Sequence, residues 1–432
     1  MPGDPPRLPA LAVICDIVGS MSPVDIARSA AGRAELLYLV DAGDNDLIEL
    51  CQSLAQTYAV RVDDPQAIAT LLRDLGVNAV TTFSDPHCAV VDAVNAVLRG
   101  DDPDRDSRWR KDMQRDSLVR HGLSKIVASR FHSAHELQQL VTRQGVPLVV
   151  KPRRGAASRD VWLLNTRQDV NQFLLAAAGG RRDLDDFVAE TYVQGVRPAA
   201  HRHVGDYISV ELFVHRKGFS AFVTDRPPIA WPCRETGIIG PTVLSASDQK
   251  AAVDLAVDAH AALGGGFGAF HVEIKLSEPT PEVIEVNGRL GGYVRRLVQY
   301  GAGIDVGPWA IASALGADPQ PRAPMLTWDR AVMGVLFQAP PSAVSVEAAP
   351  ARKALLQLPG VLAVEAVAQP GSLVDWQMGS GGAVAKLWIA GRDHSELGDR
   401  ARTVAKVLSS SFMFITAEGD TVREKDFVAS MS

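Results

Sequence analysis

Residues 271–292, HVEIKLSEPTPEVIEVNGRLGG, hold the densest set of side chains able to do chemistry. Two runs rich in valine and isoleucine, HVEIKL and EVIEVN, flank the turn-forming SEPTP, a pattern that predicts a β-hairpin. Side chains alternate across a strand, so Glu273 shares a face with His271 and Lys275, and Glu285 shares one with Asn287. Ile284 and Val286 then point to the other face as an apolar floor. Two carboxylates so gathered repel each other unless a cation lies between them. Hard oxygen donors at a site with room for phosphates suit Mg²⁺, with Mn²⁺ as the substitute. Arg289, two residues past Asn287, adds a fixed positive charge.

The other chemistry-bearing stretch is 147–164, PLVVKPRRGAASRDVWLL: a strand, a loop of small residues and a second strand. Lys151, ending the buried strand, can reach nucleotide phosphates as a point charge. Small loop residues let backbone N–H groups approach those phosphates closely.

The elements that must carry these residues follow from the rest of the chain. At 432 residues, two to four subdomains are expected. A balance of 44 basic against 50 acidic residues, net −6, gives no general attraction to nucleic acid. Cys15, Cys51, Cys88 and Cys233 form no CxxC pair and look like small buried side chains of a reducing compartment. LAVICDIVG is interrupted by Asp16 and lacks a basic leader, so it reads as a buried strand. A cytoplasmic protein with no membrane span is expected. The first hundred residues alternate strand and helix: LAVICDIV, PVDIARSAAG, ELLYLV, DLIELCQSLAQTY, YAVRV, PQAIATLLRDLG, NAVTTF and CAVVDAVNAVLRG. That rhythm argues for a parallel doubly wound, Rossmann-like sheet, although its first turn lacks G-x-G-x-x-G. Polar GDDPDRDSRWRKD and Pro-rich ADPQPRAP mark two boundaries.

Taken together these motifs resemble the ATP-grasp superfamily, nearest its L-amino-acid-ligase and carbamoyl-phosphate-synthase-like members. The likeness rests on Glu273 with Glu285-x-Asn287-x-Arg289, and on a Lys-Pro-x-x-Gly-x-x-Ser-x-Gly-Val segment in which Lys151, Gly155, Ser158 and Val161 match. Asp160 stands where glycine is usual, and Ile238 where a histidine is frequent. The resemblance implies an α/β and α+β chain in three parts. They are a Rossmann-like N-terminal domain (1–108), an ATP-grasp domain (109–322, lid about 125–195) and a small C-terminal α+β domain (323–432). It implies ATP held by Lys111, Lys151, Gly155, Ser158, Glu190, Tyr192 and Val193, and Mg²⁺ held by Glu273, Glu285 and Asn287. Arg289 and Lys151 become the catalytic cations. Glu211, Tyr293, Arg295 and Arg296 become candidates for the substrate pocket. The implied reaction joins a small-molecule carboxylate to an amine through an acyl phosphate, releasing ADP and phosphate, and a homodimer is compatible with it. The rival readings are a bicarbonate-activating carboxylase of the biotin-carboxylase type and an ATP-binding subunit without turnover.

Overall fold

The structure, a computed structural model, describes residues 8–101, 106–180, 183–319, 326–425 and 427–428. The sequence boundaries around residues 108 and 322 fall partly on segments outside the described residues.

The N-terminal part runs β1 (Ala10–Ile14), α1 (Pro23–Ala30), β2 (Glu35–Asp41), α2 (Asn45–Gln52), β3 (Gln56–Val60), α3 (Pro65–Asp74), β4 (Val80–Thr82) and α4 (Cys88–Arg99). Its sheet is parallel, in the order β3-β2-β1-β4. Three helices start on sequence-coded caps: Ser22, Asp44 and Asp64 each accept a hydrogen bond from a backbone N–H of the first turn. Each such cap contributes about 1 kcal/mol. Two expected boundaries move. β1 stops at Ile14 because the Asp16 carboxylate accepts the Val18 N–H and turns the chain, leaving Ile17 and Val18 exposed. α2 stops at Gln52, and β3 begins at Gln56 to pair with β2 from Leu37 onward.

α5 (Lys111–Arg120) leads into a smaller layered unit: β5 (Ala128–Arg130), α6 (Ala134–Gln144), β6 (Leu148–Pro152), β7 (Trp162–Leu164), α7 (Arg167–Gly179) and β8 (Phe187–Thr191). Its antiparallel sheet, ordered β5-β8-β6-β7, packs Phe131, Phe173 and Phe187 into a core of its own. Then come β9 (Tyr207–His215), β10 (Gly218–Asp225), β11 (Gly237–Gly240), α8 (Ala246–Ala262), β12 (Gly268–Lys275), β13 (Glu282–Asn287), α9 (Val294–Ala302) and α10 (Gly307–Ala314). The C-terminal stretch is β14 (Ala331–Phe337), β15 (Ala343–Ala348), α11 (Arg352–Leu356), β16 (Val361–Val367), β17 (Ala385–Gly391), α12 (His394–Ser411), β18 (Met413–Thr416) and β19 (Thr421–Val422).

One eight-stranded sheet, β13-β12-β9-β10-β11-β14-β17-β16, runs from the central part into the C-terminal one through the β11–β14 pairing. β15, β18 and β19 form a separate small sheet. This is the α/β and α+β organisation expected from the sequence. Among the described residues no helix is long and apolar enough to cross a membrane.

Candidate active site

β12 and β13 pair antiparallel with His271 opposite Asn287 and Glu273 opposite Glu285. The period-two argument therefore places both carboxylates on one face, as cross-strand neighbours. A bulge follows between Glu273 and Ile274. Val272, Val283 and Val286 are buried beneath, in a core shared with α8 and α5.

β13 is an edge strand, and α5 covers it. Gln114 donates to the Val286 carbonyl (2.7 Å) and accepts the Val286 N–H (3.1 Å). Arg115 donates to the carbonyls of Val283 (2.6 Å) and Ile284 (2.8 Å). The open edge is thus closed by side chains in place of a ninth strand. This docking sets Lys111, at the start of α5, with its Nζ 2.5 Å from Glu285 Oε2.

Lys151 leaves the end of β6 with its Nζ 2.7 Å from Glu190 Oε2 on β8. The other oxygen of Glu190 receives Arg115 Nε at 3.2 Å. Burial opposes ionisation of Glu190, but Lys151 and Arg115 outweigh it and hold the carboxyl down at about 2. Lys151 also feels the charges of Lys111 and Glu285, so both lysines and the hairpin carboxylates share one region. From the sequence, Lys151 had phosphates to reach and no named protein partner. The structure adds one: its ammonium pairs with Glu190, because β6 and β8 are neighbours in the same sheet.

Buried side chains on the same face brace the hairpin. His271 Nδ1 lies 2.5 Å from Glu211 Oε1, and His271 Nε2 lies 3.4 Å from Glu273 Oε1. Burial works against the imidazolium, yet Glu211 raises it to about 9. Glu273 is disfavoured by burial but pulled down to about 2 by His271, Arg226 and Lys111. Glu211 is fully buried, with one oxygen on His271 and the other accepting the Gly291 N–H at 2.9 Å. Gly291 has to be glycine, since a Cβ there would sit 2.5 Å from His271 Nδ1 and 2.6 Å from Glu211 Oε1.

Arg289 turns to the N-terminal domain. Its Nη2 lies 2.7 Å from Asp85 Oδ2, and its Nη1 donates to the Leu290 carbonyl at 2.9 Å. With its amide nitrogen facing the carboxylates, Asn287 donates to Glu285 (2.9 Å) and Asp85 (3.3 Å). Asp85, Arg115, His271 and Arg226 were not singled out from the sequence. Two of them left a signal: Arg115 lies one helical turn from Lys111, and His271 shares a strand face with Glu273.

The remaining candidates divide. Tyr192 and Val193 lie half-buried just past β8, where the chain leaves the smaller unit. Gly155 and Ser158 lie in the loop between β6 and β7. Asp160 has φ of +55°, which explains why glycine is usual there and why aspartate, tolerant of the left-handed region, is accepted. Tyr293 lines a small cavity with Ile238, Gly334 and Trp388, and Ile238 itself is fully buried. Arg295 grips Asp305 (2.7 Å) and Asp25 (2.6 Å), tying α9 to α1. Arg296 is half exposed and pairs with Glu365 of β16 at 2.5 Å.

Residues 133–293 match the ATP-grasp domain family. The chain is 29% identical over 197 residues to the alanine–anticapsin ligase of Bacillus subtilis, covering 42% of this chain and 41% of that protein. It is 26% identical over 251 residues to the uncharacterised protein y4rH of Sinorhizobium fredii, covering 56% of this chain and 50% of that one. The chain thus spans half the length of these curated relatives or less. Among solved structures, the L-amino acid ligase of Bacillus licheniformis superposes with a TM-score of 0.71 at 18% identity, over 95% of this chain and 100% of that one.

Proposed function

We propose that this chain, which carries an ATP-grasp domain, is an ATP-dependent carboxylate–amine ligase that joins two amino acids or an amino acid and a related small molecule. The observation that carries the reading is a hairpin bearing paired carboxylates, with Lys111 on Glu285 and Lys151 nearby on Glu190, close enough to feel the charge of Glu285. The names of the relatives, ligases of amino acids, point the same way.

The donor set fits Mg²⁺. Glu273 and Glu285 face each other, Glu273 is held ionised, and an ammonium already answers Glu285. Glu273, Glu285 and Asn287 would hold the ion, which when bound neutralises phosphate charge. Lys111 and Lys151, now on Glu285 and Glu190, would supply positive charge to the triphosphate. The substrate carboxylate oxygen attacks the γ-phosphorus, the bond to the β-phosphate oxygen breaks, and ADP leaves. The amine nitrogen then attacks the acyl carbon, loses a proton and expels phosphate. Arg289 supplies a guanidinium at this junction between the two domains. The protein's contribution is positioning and fixed charge in a partly buried site.

A screen of amino-acid pairs for phosphate release tests the reading. Release should require both a carboxylate and an amine, and chromatography of the spent nucleotide should show ADP. AMP as the main product would sink the mechanism. Release supported by bicarbonate in place of the carboxylic acid would favour a carboxylase instead.

A further inference from the structure

The loop between β6 and β7 does not stand alone. A short helical segment of the C-terminal part, Trp376–Gly382, is strapped across it. The Ser380 N–H donates to the Ala157 carbonyl at 2.8 Å, and Asp160 N–H donates to the Gln377 carbonyl at 2.9 Å. Trp376 sets its ring edge-on against Trp162 at 4.7 Å between centroids. At the closest point stands Gly379, with φ of +58°; a Cβ there would lie 2.0 Å from the Ala157 carbonyl oxygen. The strap is itself fixed at both ends. Val374 N–H bonds the Val344 carbonyl (2.9 Å), and Val384 N–H bonds the Phe337 carbonyl (2.8 Å).

The strapped loop has an unusual backbone. Ala157, Ser158 and Asp160 all hold φ near +55 to +59° without being glycine. Each such residue is disfavoured by sterics unless its surroundings enforce it. Among the described residues, the backbone N–H groups of Gly155, Ala156, Ala157 and Ser158 take no intramolecular partner. Successive N–H groups in a loop of this kind form a concavity suited to anions. The two hydrogen bonds from the strap fall on Ala157 and Asp160, at the turn itself, and leave those four N–H groups uncovered.

We propose that Trp376–Gly382 positions the nucleotide loop: the C-terminal part holds Gly155–Ser158 in its anion-binding shape, and Gly379 is the residue that permits the contact. The inference rests on the ATP-dependent reading above and assigns the C-terminal part a share in that site. Gly379 is a positioning residue and touches no reacting atom.

The test uses the full chain. Binding of MgATP is measured by calorimetry for the wild type, Gly379→Val, Trp376→Ala and Gly381→Ala, together with the rate of trypsin cleavage after exposed Arg159 and the unfolding temperature without nucleotide. Gly379→Val should weaken MgATP binding about tenfold or more and speed the cleavage. Trp376→Ala should act in the same direction, less strongly. Gly381→Ala lies in the same segment with nothing within 4 Å of its added Cβ, and should behave as wild type. If Gly379→Val does not fold, Trp376→Ala decides. Wild-type affinity and wild-type cleavage in the folded strap variants overturn the proposal. A wild-type chain that binds no MgATP overturns the ATP-dependent reading instead, so the two failures are distinguishable.

Discussion

Arg289 is the residue whose neighbourhood most constrains its role. It stands two positions past Asn287, yet its guanidinium spans to Asp85, 204 residues earlier. The observed contact is a clasp on the N-terminal part, and the proposed role is a charge at the reaction junction. Substitution can separate them. Arg289→Lys keeps the charge and loses the two-pronged geometry, while Asp85→Asn weakens the clasp and leaves Arg289 in place. If Arg289 steadies the transferring phosphoryl group, Arg289→Lys should lower kcat about a hundredfold with little change in the KM for ATP. Asp85→Asn should cost far less. Equal losses in steady-state assays of both variants would reduce Arg289 to the clasp. The hairpin carboxylates were legible in the sequence because strand alternation is local. Asp85 was not, because nothing local in the sequence connects residue 85 with residue 289.

At the scale of elements, the decisive arrangement is one helix wedged between two sheets. α5 buries Lys111, Asp112, Gln114, Arg115 and Ser117, and of its apolar residues only Leu118 is fully covered. A search for an apolar stripe passes over such a helix, and its sequence reads as a solvated helix start. Its burial is offset by satisfied polar groups, of which Glu190 is the centre. Glu190 titrates in the folded chain at about 2, below its ordinary 4.5. The stability this confers, about 3 kcal/mol, is fully present above pH 4.5 and is lost as pH falls from 4.5 towards 2. Glu190→Gln should destabilise the protein by about 3–5 kcal/mol at neutral pH, because Lys151 and Arg115 are left buried without their anion. The variant should also lose part of the acid sensitivity. Thermal unfolding of both proteins from pH 6 down to pH 2 checks this: parallel curves would remove Glu190 from the account.

Across the whole molecule, the sheet order explains why the site is assembled from distant parts. β11 pairs with β14 and β14 with β17, so the C-terminal strands extend the sheet that carries the hairpin. The alternating strands and helices of the first hundred residues made the parallel N-terminal sheet readable, since βαβ connections leave few topologies open. The pairing of β11 with a strand nearly a hundred residues later had no comparable local signature. The N-terminal domain is locked onto this frame by Arg295, whose side chain is only 11% exposed and bridges Asp25 after Ser22 on one side and Asp305 before α10 on the other. Two carboxylates share one guanidinium, so removing it leaves both facing each other in a half-buried seam. Arg295→Ala should therefore cost about 2–4 kcal/mol of stability. The KM for carboxylate and amine should stay near wild type at temperatures where the variant is folded, because Nε, Nη1 and Nη2 of the side chain are all turned to the two carboxylates of the seam. Differential scanning calorimetry and initial-rate measurements below the transition test both halves. A variant with unchanged unfolding temperature and a selectively raised KM for one substrate would return Arg295 to the substrate pocket and detach the seam from the stability of the whole.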